Sequence, residues 1–473
     1  MRRKNCIFKM ILILLCLVII SSFYNVNAVE VDYQYTKEYL EWKELSVEDK
    51  KNTPQPQMIS SNIRYKKKID SWNDRNQMIG NPMTGKNVLA TQSKFNLADY
   101  IDIEIKNQAL TMECWAFGIL SSMETNLLYK QGIKEQFSER HMDYATSNSF
   151  YDVNKEDLAY ARDVSFGGLV NIGLAYLTNG QGAVYEEQMP FENSEDPISI
   201  EEIDIEPSYY VTDYVSIPSI YKMYNEDGSI QYYDAAFKEY SLDEVNMIRK
   251  EIKNHIVNYG ALTSVTASAY VEGYNNQEHP EYATAFCCKD NTYFRDHAIT
   301  IVGWDDTYSK ENFSSESRPK SDGAYIVLQS YGDKAFDNGY MYISYEDNLI
   351  ESLLYGVSDS RKYDYDKLYQ NDYYGSAGTL SIAEQEVGYF ASAFERDVSQ
   401  KENLKQVSFN LGDYASVEVW VNPVDSNPTS NNVKKVSDFT SVLTPGYHTI
   451  EFDPIELTGD SFLVIIKQKF YFT

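Results

Sequence analysis

Residues 107–128 read "NQALTMECWAFGILSSMETNLL". Cys114 opens a segment in which apolar residues recur at helical spacing, and this spacing predicts a helix with one buried face. The apolar positions are Ala116, Leu120, Met123 and Leu127. A helix N-terminus favours a thiolate, because its N–H groups and partial positive charge point at the sulfur. Cys114 is therefore a candidate nucleophile, and a small buried structural cysteine is the alternative.

The first 28 residues have the layout of a secretory signal peptide. They combine a basic start, an apolar run from Met10 to Ile20 and a small-residue end at Ala28, which predicts cleavage after Ala28. The alternative is an uncleaved membrane anchor, for which this apolar run is short. We therefore expect an exported, soluble protein with no transmembrane anchor after signal cleavage.

The composition argues against nucleic-acid binding. The chain has 42 basic and 70 acidic residues, a net charge of -28, and the signal segment contains no acid. Such an acidic surface repels phosphate backbones, so no nucleic-acid partner is expected.

The cysteines give neither a disulfide framework nor a metal site. Only Cys114, Cys287 and Cys288 follow the signal segment, and an odd number in an exported chain leaves at least one free thiol. Cys287 and Cys288 are adjacent, so we expect both to be unpaired. No CxxC or Cys/His ligand spacing is present, and we predict no metal site and no cofactor.

The order of segments predicts an α+β domain followed by an all-β domain. Residues 29–92 are polar and read as a leader, and a packed domain begins near Phe95. A helix is predicted at 241–259, where Ser241 and Glu244 form a capping box. Strands at 261, 298, 324 and 339 then form an antiparallel sheet.

From residue 362 the sequence pattern changes to short predicted strands separated by turn residues. These strands are "SVEVWVN", "HTIEF" and "FLVIIKQ", and they predict a β-sandwich over 362–473. The abrupt end at "KFYFT" leaves open a missing last strand.

A nucleophilic cysteine needs a base, and His297 is the best placed of the five histidines. It directly precedes the apolar strand "AITIVGW", and a strand end can hold an imidazole rigidly against a distant helix. A satisfied structural histidine is the alternative. The others lie in a polar helical segment, on the amphipathic helix, in a loop and in the C-terminal domain: His141, His255, His279 and His448.

Taken in order, "NQ", "CWAF", "DHAITIVGW" and "GAYIVLQSYG" resemble the papain-like cysteine peptidases. "FNLAD" at 95, "FSER" at 137 and "GGLVNIGLAYL" at 167 extend the resemblance over about residues 93–355. It implies a two-lobed fold, a helical lobe plus an antiparallel β lobe, over 93–358. The segment after 362 is similar to the lectin-like domain that follows such peptidases in bacterial surface proteins. The leader, 29–92, is similar to their propeptides.

The resemblance implies a role for each site residue. Cys114 would be the nucleophile, His297 its base and later its acid, and Gln108 a donor to the oxyanion. Gln329 would orient His297, although the family has asparagine there and glutamine is one methylene longer. Tyr331 stands where the family motif has tryptophan and is assigned to the substrate site.

The same resemblance assigns three further residues to substrate binding. Gly167 and Gly168 would leave the backbone bare for a substrate peptide, and Trp115 would pack beneath the nucleophile. Met112 replaces a glycine and is expected to narrow the cleft. Glu113 replaces a small neutral residue, and its carboxylate opposes thiolate formation, an effect that exposure to solvent would blunt.

These features imply an exported cysteine endopeptidase made as an inactive precursor and cut near residues 85–94. Its partner would be a protein or peptide substrate, and its location secreted or at the bacterial cell surface. A glycan or cell-wall partner and a calcium ion in the lectin-like domain are left open. The alternatives are an inactive peptidase homologue that acts as a surface adhesion or glycan-binding protein, and a structural surface-layer component.

Overall fold

The computed structural model describes residues 90–147, 162–164, 166–191, 200–268, 284–290, 292–376 and 387–470. The predicted signal peptide, His279 and nearly all of the predicted leader lie outside these ranges. All described residues belong to one compact unit, formed by Lys68–Thr379 and Glu386–Thr473. Within the described residues, no helix is long and apolar enough to cross a membrane.

Two long helices confirm the predicted helical segments. The described α-helices are α1 (Cys114–Gln131), α2 (Glu139–Ala145), α3 (Val170–Thr178), the short α4 (Ile200–Ile203) and α5 (Leu242–Tyr259). Helix α1 ends at Gly132, whose left-handed backbone (φ 70°) lets its N–H reach the last carbonyls. Helix α5 begins with the expected capping box of Ser241 and Glu244.

Most of the described strands join one largely antiparallel sheet. The strands of the first part of the chain are β1 (Lys94–Asn96), β2 (Tyr209–Ser216), β3 (Tyr221–Tyr224), β4 (Ile230–Tyr233), β5 (Leu262–Thr266), β6 (Ala285–Phe286), β7 (His297–Asp305), β8 (Ala324–Leu328), β9 (Tyr340–Ser344) and β10 (Tyr355–Lys362). The C-terminal strands are β11 (Val387–Glu395), β12 (Glu402–Leu411), β13 (Ala415–Asn422), β14 (Lys434–Lys435), β15 (Gly446–Leu457) and β16 (Ser461–Phe470).

Within the described residues, ten strands form the main sheet, in the order β12-β15-β2-β10-β5-β7-β8-β9-β6, and β1 also pairs with β7. The pair β6–β9 is parallel, whereas β5, β7, β8 and β9 pair antiparallel as predicted. The hairpin of β3 and β4 stands apart from this sheet. The fold is thus the expected helical lobe plus a largely antiparallel β lobe.

Helix α1 packs directly on the start of β7. A Cβ on Gly118 would lie 3.1 Å from Thr263 Cγ2 and 3.5 Å from Ala298 Cβ. The Thr263 hydroxyl also donates to the Gly118 carbonyl at 2.8 Å. This glycine lets the helix approach the sheet closely, and one helical turn earlier the chain reaches Cys114.

The C-terminal strands form the predicted β-sandwich. A second sheet, in the order β11-β16-β13-β14, packs against strands β12 and β15 of the main sheet. Alternate residues of each strand make their shared core, which includes Val407, Phe409, Val417, Val419, Val421, Phe462 and Val464.

The main sheet also crosses from the first domain into the second. Gly446 and Tyr447 of β15 pair with Val215 and Tyr214 of β2, and the two tyrosine rings stack at 5.7 Å. A Cβ on Gly446 would lie 2.0 Å from the Tyr214 carbonyl oxygen, so only glycine allows this approach. The sequence predicted two separate domains, and it did not reveal that β15 covers the edge strand β2.

A buried ion cluster holds the segment before α1. Lys106 Nζ lies 2.6 Å from Glu124 Oε1 of α1 and 2.7 Å from Glu139 Oε1 of α2. Burial raises the pKa of Glu124 to about 7, against the attraction of Lys106. Burial also acts to lower the pKa of Lys106, but Glu124 and Glu139 together raise it above its usual value.

We predict that Lys106→Met destabilises the protein at pH 7 by about 3–5 kcal/mol, because it leaves two carboxylates buried without their cation. The loss of stability should be smaller at pH 5, where the Glu124 carboxyl, whose pKa burial raises to about 7, takes up a proton. Denaturant unfolding at both pH values measures it. Lys134→Met is the control, because Lys134 pairs with Asp102 at the exposed surface, and it should leave the unfolding midpoint unchanged. Equal effects of the two substitutions would contradict the prediction.

Candidate active site

Cys114 is the first residue of α1 and its side chain is partly buried. Its Sγ lies 3.9 Å from the carbonyl oxygen of Asp296, and the backbone N–H of Ala298 also acts on the sulfur. The sulfur therefore lies against the two residues that flank His297 in the chain. The structure thus brings together segments that are far apart in the sequence.

The surroundings of Cys114 raise the pKa of its thiol above the ordinary value. Burial is the main cause, and the carboxylate of Asp296 adds to it. The N–H groups of Ala298 and Trp115 oppose the shift by donating to the sulfur. A thiolate at this position consequently needs a nearby group that takes the proton.

His297 is the first residue of β7, with 3% of its surface exposed. Its Nε2 lies 2.8 Å from Gln329 Oε1, a distance at which Nε2–H donates to the amide oxygen. Nδ1 is then the nitrogen that can accept a proton. The ring of Tyr331 stacks on the imidazole, with centroids 5.3 Å apart and planes 11° apart.

Gln329 is held firmly despite its extra methylene. Its side chain is buried, its backbone N–H donates to the Gly339 carbonyl at 2.9 Å, and its Nε2 contacts Met341 Sδ. The amide is thus fixed on one side by His297 and on the other by β9. The longer glutamine thus still brings its amide oxygen within hydrogen-bond distance of the imidazole.

Gln108 is joined to the segment after Gln329. Its backbone N–H donates to the Ser330 carbonyl at 2.7 Å, and the Ser330 hydroxyl donates to Gln108 Oε1. Its Nε2 donates one hydrogen bond, 2.8 Å long, to the Thr111 carbonyl. The neighbouring pair Asn107 and Tyr331 forms a β-bridge. The loop before Cys114 and the loop after β8 are therefore fixed to each other.

Trp115, the residue after Cys114, is buried, and its indole ring accounts for the glycine at position 168. Its side chain is 1% exposed, and a Cβ on Gly168 would lie 2.4 Å from the indole ring. A Cβ on Gly167 would meet only Met112, at 3.3 Å from its carbonyl oxygen. Met112 is 57% exposed and lies against Gly167, and its effect on the width of the cleft stays a prediction.

Glu113 corrects one expectation, because it is buried rather than exposed. Only 5% of its surface is accessible, so water cannot screen its carboxylate. It acts electrostatically on Arg162 instead, a residue that the sequence analysis did not single out. Arg162 belongs to no periodic segment, so no local pattern pointed to it.

The other described histidines have structural surroundings. His141, which we expected in a polar helix, is buried and hydrogen-bonded to Tyr176 Oη at 2.6 Å and the Ile203 carbonyl at 2.9 Å. Burial lowers the pKa of His255 to about 3. His448 contacts Asp213 at the join of β15 and β2. His297 is therefore the described histidine whose chain neighbours contact Cys114.

Cys287 and Cys288 are buried, and neither is part of a disulfide. Burial raises the pKa of Cys288 to about 12, so this thiol is not a competing nucleophile at neutral pH.

Among the described residues, no group of three or more His, Cys, Asp or Glu side chains could hold a metal ion.

Solved structures with a similar fold include two of one clostridial enzyme. The cysteine protease Cwp84 after propeptide cleavage is 25% identical, with a TM-score of 0.63, and the match covers 80% of this chain and 84% of that chain. The protease and lectin-like domains of Cwp84, described as a surface layer associated protein of Clostridium difficile, are 23% identical with a TM-score of 0.62, over 92% of this chain and 84% of that chain.

Family profiles match both parts of the chain, whereas no curated protein matches it. The lectin-like domain matches residues 368–470. The papain family of cysteine proteases matches residues 94–361, which is more than half of the chain. This protein therefore belongs to the papain family of cysteine proteases, with a lectin-like domain at its C-terminal end.

Proposed function

We propose that this chain is an exported cysteine endopeptidase made as an inactive precursor, in which Cys114 and His297 cleave peptide bonds of surface or extracellular proteins. One observation carries the proposal. The Cys114 sulfur, at the start of α1, lies 3.9 Å from the carbonyl oxygen of the residue before His297, whose imidazole is held by Gln329.

The first half of the reaction follows from these positions. His297 Nδ1 takes the proton from Cys114 Sγ, and the sulfur attacks the scissile carbonyl carbon. The resulting oxyanion would lie near the N-terminus of α1, where the Cys114 N–H is not used by the helix. The second Nε2 hydrogen of Gln108 would be the other donor. Such a donor is worth about 3 kcal/mol at the transition state.

The second half regenerates the enzyme. His297 gives its proton to the leaving amine as the C–N bond breaks, which leaves an acyl group on Cys114. A water molecule then attacks the thioester, His297 accepts its proton, and the sulfur leaves. The hydrogen bond to Gln329 and the stacked ring of Tyr331 keep the imidazole in one orientation through both steps.

The leader is the part of the chain proposed to keep the enzyme inactive. Two hydrogen bonds attach the end of the leader to the peptidase domain. The Trp304 indole N–H donates to the Gln92 carbonyl at 3.1 Å, and the Asp306 N–H donates to the Ser93 carbonyl at 2.6 Å, so both residues would stay with the mature enzyme. The cut therefore falls before Gln92 in this proposal. The Cwp84 structure determined after propeptide cleavage supports such a precursor. Export, to the medium or the bacterial surface, rests on residues 1–28.

We predict that Cys114→Ala and His297→Ala both abolish leader release and peptide cleavage by the purified precursor. His297→Ala should also slow alkylation of Cys114 at pH 7, because burial disfavours a thiolate that has no proton acceptor. Mass spectrometry of the alkylated chain identifies the labelled thiol.

Cys287→Ala is the matched control, since it removes a buried thiol and should preserve cleavage and Cys114 labelling. If Cys114→Ala behaves like the unchanged precursor, the peptidase proposal is wrong. Binding of both proteins to cell-wall glycan would then favour the adhesion function.

We predict that Gln329→Ala lowers kcat by roughly a hundredfold, because the imidazole loses the acceptor that orients it. Gln329→Asn keeps the amide but shortens it, and it should lose less activity than Gln329→Ala. Steady-state kinetics with one peptide substrate gives both values. Equal activity of the alanine variant and the wild type would show that Gln329 does not orient His297.

The two adjacent glycines give a second comparison. Gly168→Ala should destabilise the protein and lower kcat/KM, because its Cβ would overlap the buried indole of Trp115. Gly167→Ala brings its Cβ to 3.3 Å from the Met112 carbonyl oxygen, a much milder approach, so it should lower the melting temperature less than Gly168→Ala. Thermal unfolding of both variants tests this difference, and the reverse order would mean that Trp115 does not set the position of Gly168.

A further inference from the structure

A buried negative charge stands immediately before the nucleophile. Glu113 occupies the N-cap position of α1 but makes no side-chain cap bond, and its carbonyl accepts from Ala116 and Phe117. With 5% of its surface exposed, its carboxylate is shielded from water. A charge in this position opposes ionisation of Cys114 unless a cation offsets it.

Arg162 is the cation that the structure supplies. Its guanidinium is 4.9 Å from the centre of the Trp115 ring, and its side chain is 7% exposed. Nη1 donates to the Asp143 carbonyl at 2.8 Å, and Nη2 pairs with Asp143 Oδ1. Burial lowers the pKa of Arg162 to about 10, while Glu113 and then Asp163 act to raise it. The group therefore stays charged at neutral pH.

These contacts link three parts of the active site. Asp143 belongs to α2, Trp115 directly follows Cys114 on α1, and Arg162 lies a few residues before Gly167 and Gly168. A planar guanidinium on an indole face combines packing with cation–π attraction, so it can hold the ring and compensate a carboxylate together.

We infer that Arg162 is a positioning residue for the peptidase reaction, which offsets the charge of Glu113 and holds Trp115 so that Cys114 can ionise towards His297. The inference rests on the proposed role of Cys114 as nucleophile. Related motifs have a small neutral residue at the position of Glu113, so they carry no negative charge there that a cation must offset.

Other charged groups near this site also influence the ionisation of Cys114 and the charge of Arg162. Asp296 acts on Cys114 from the segment before β7, where its carboxylate accepts from the Ser268 N–H at 2.7 Å and the Ser268 hydroxyl at 3.0 Å. His297 follows it. Asp143 faces Arg162 from α2, and Asp163 lies on the same segment as Arg162. A test must separate Glu113 from these carboxylates.

The test is a double-mutant cycle of Glu113→Gln and Arg162→Gln, read as the rate of Cys114 alkylation by iodoacetamide from pH 5 to pH 9. Arg162→Gln alone should slow alkylation at pH 7 by roughly tenfold, which corresponds to one pH unit in the profile. Glu113→Gln alone should move the profile to lower pH, because it removes a buried negative charge beside the sulfur while Arg162 keeps its pair with Asp143. The double variant should recover most of the lost rate.

Two further variants sharpen the result. Arg162→Lys keeps the charge but loses the planar contact with Trp115, and its rate should fall between those of the wild type and Arg162→Gln. Asp163→Asn is the matched control, since it removes a carboxylate that acts on Arg162 without adjoining Cys114, and it should shift the profile much less than Glu113→Gln.

A double variant as slow as Arg162→Gln would overturn the inference, because Arg162 would then act only on structure. If Arg162→Gln does not fold, an unchanged profile for Glu113→Gln alone overturns it equally. Alkylation needs no peptide substrate, so the outcome is separate from the proposed function. Loss of peptide cleavage with the expected alkylation cycle would reject the peptidase and leave only the effect of this pair on the ionisation of Cys114.

Discussion

The close contact between α1 and β7 is the constraint on which the site depends. Gly118 lets the helix lie against Thr263 and Ala298, so the start of α1 comes beside the start of β7. Cys114 and His297 are the first residues of these two elements. A Cβ at position 118 would lie 3.1 Å from Thr263 Cγ2, so even an alanine there needs a small shift of its neighbours and a larger side chain needs more.

Buried charges then fix the parts around this contact. Lys106 ties the loop of Gln108 to α1 and α2 through Glu124 and Glu139. Arg162 ties α2 to Trp115 through Asp143 and the indole ring, and Glu113, the residue before Cys114, acts on its guanidinium electrostatically. Each cation satisfies groups from two or more segments, and removing one partner of a buried pair costs much more than the pair contributes. Both clusters therefore specify one arrangement of the active-site loops.

The sequence predicted local features well and missed those that depend on distant contacts. Helix α5, with its capping box at Ser241, and the strand after His297 follow from periodicity and cap chemistry within a few residues. The burial of Glu113 does not, because no local pattern around residue 113 indicates that distant segments shield its side chain from water. The order of the motifs identified the fold and the candidate residues, while the electrostatics of the site required coordinates.

The same distinction explains the join of the two domains. The composition change near residue 362 suggests a boundary, yet strands β15, β2, β10, β5 and β7 are successive neighbours in one sheet. An exposed edge on β2 would invite pairing with other chains, and β15 covers it from the C-terminal domain. The strand that begins with His297 thus lies in the same hydrogen-bonded sheet as the lectin-like domain. This domain therefore shares its backbone hydrogen bonding with the sheet that carries His297, and the two parts of the chain are joined by more than the linking segment.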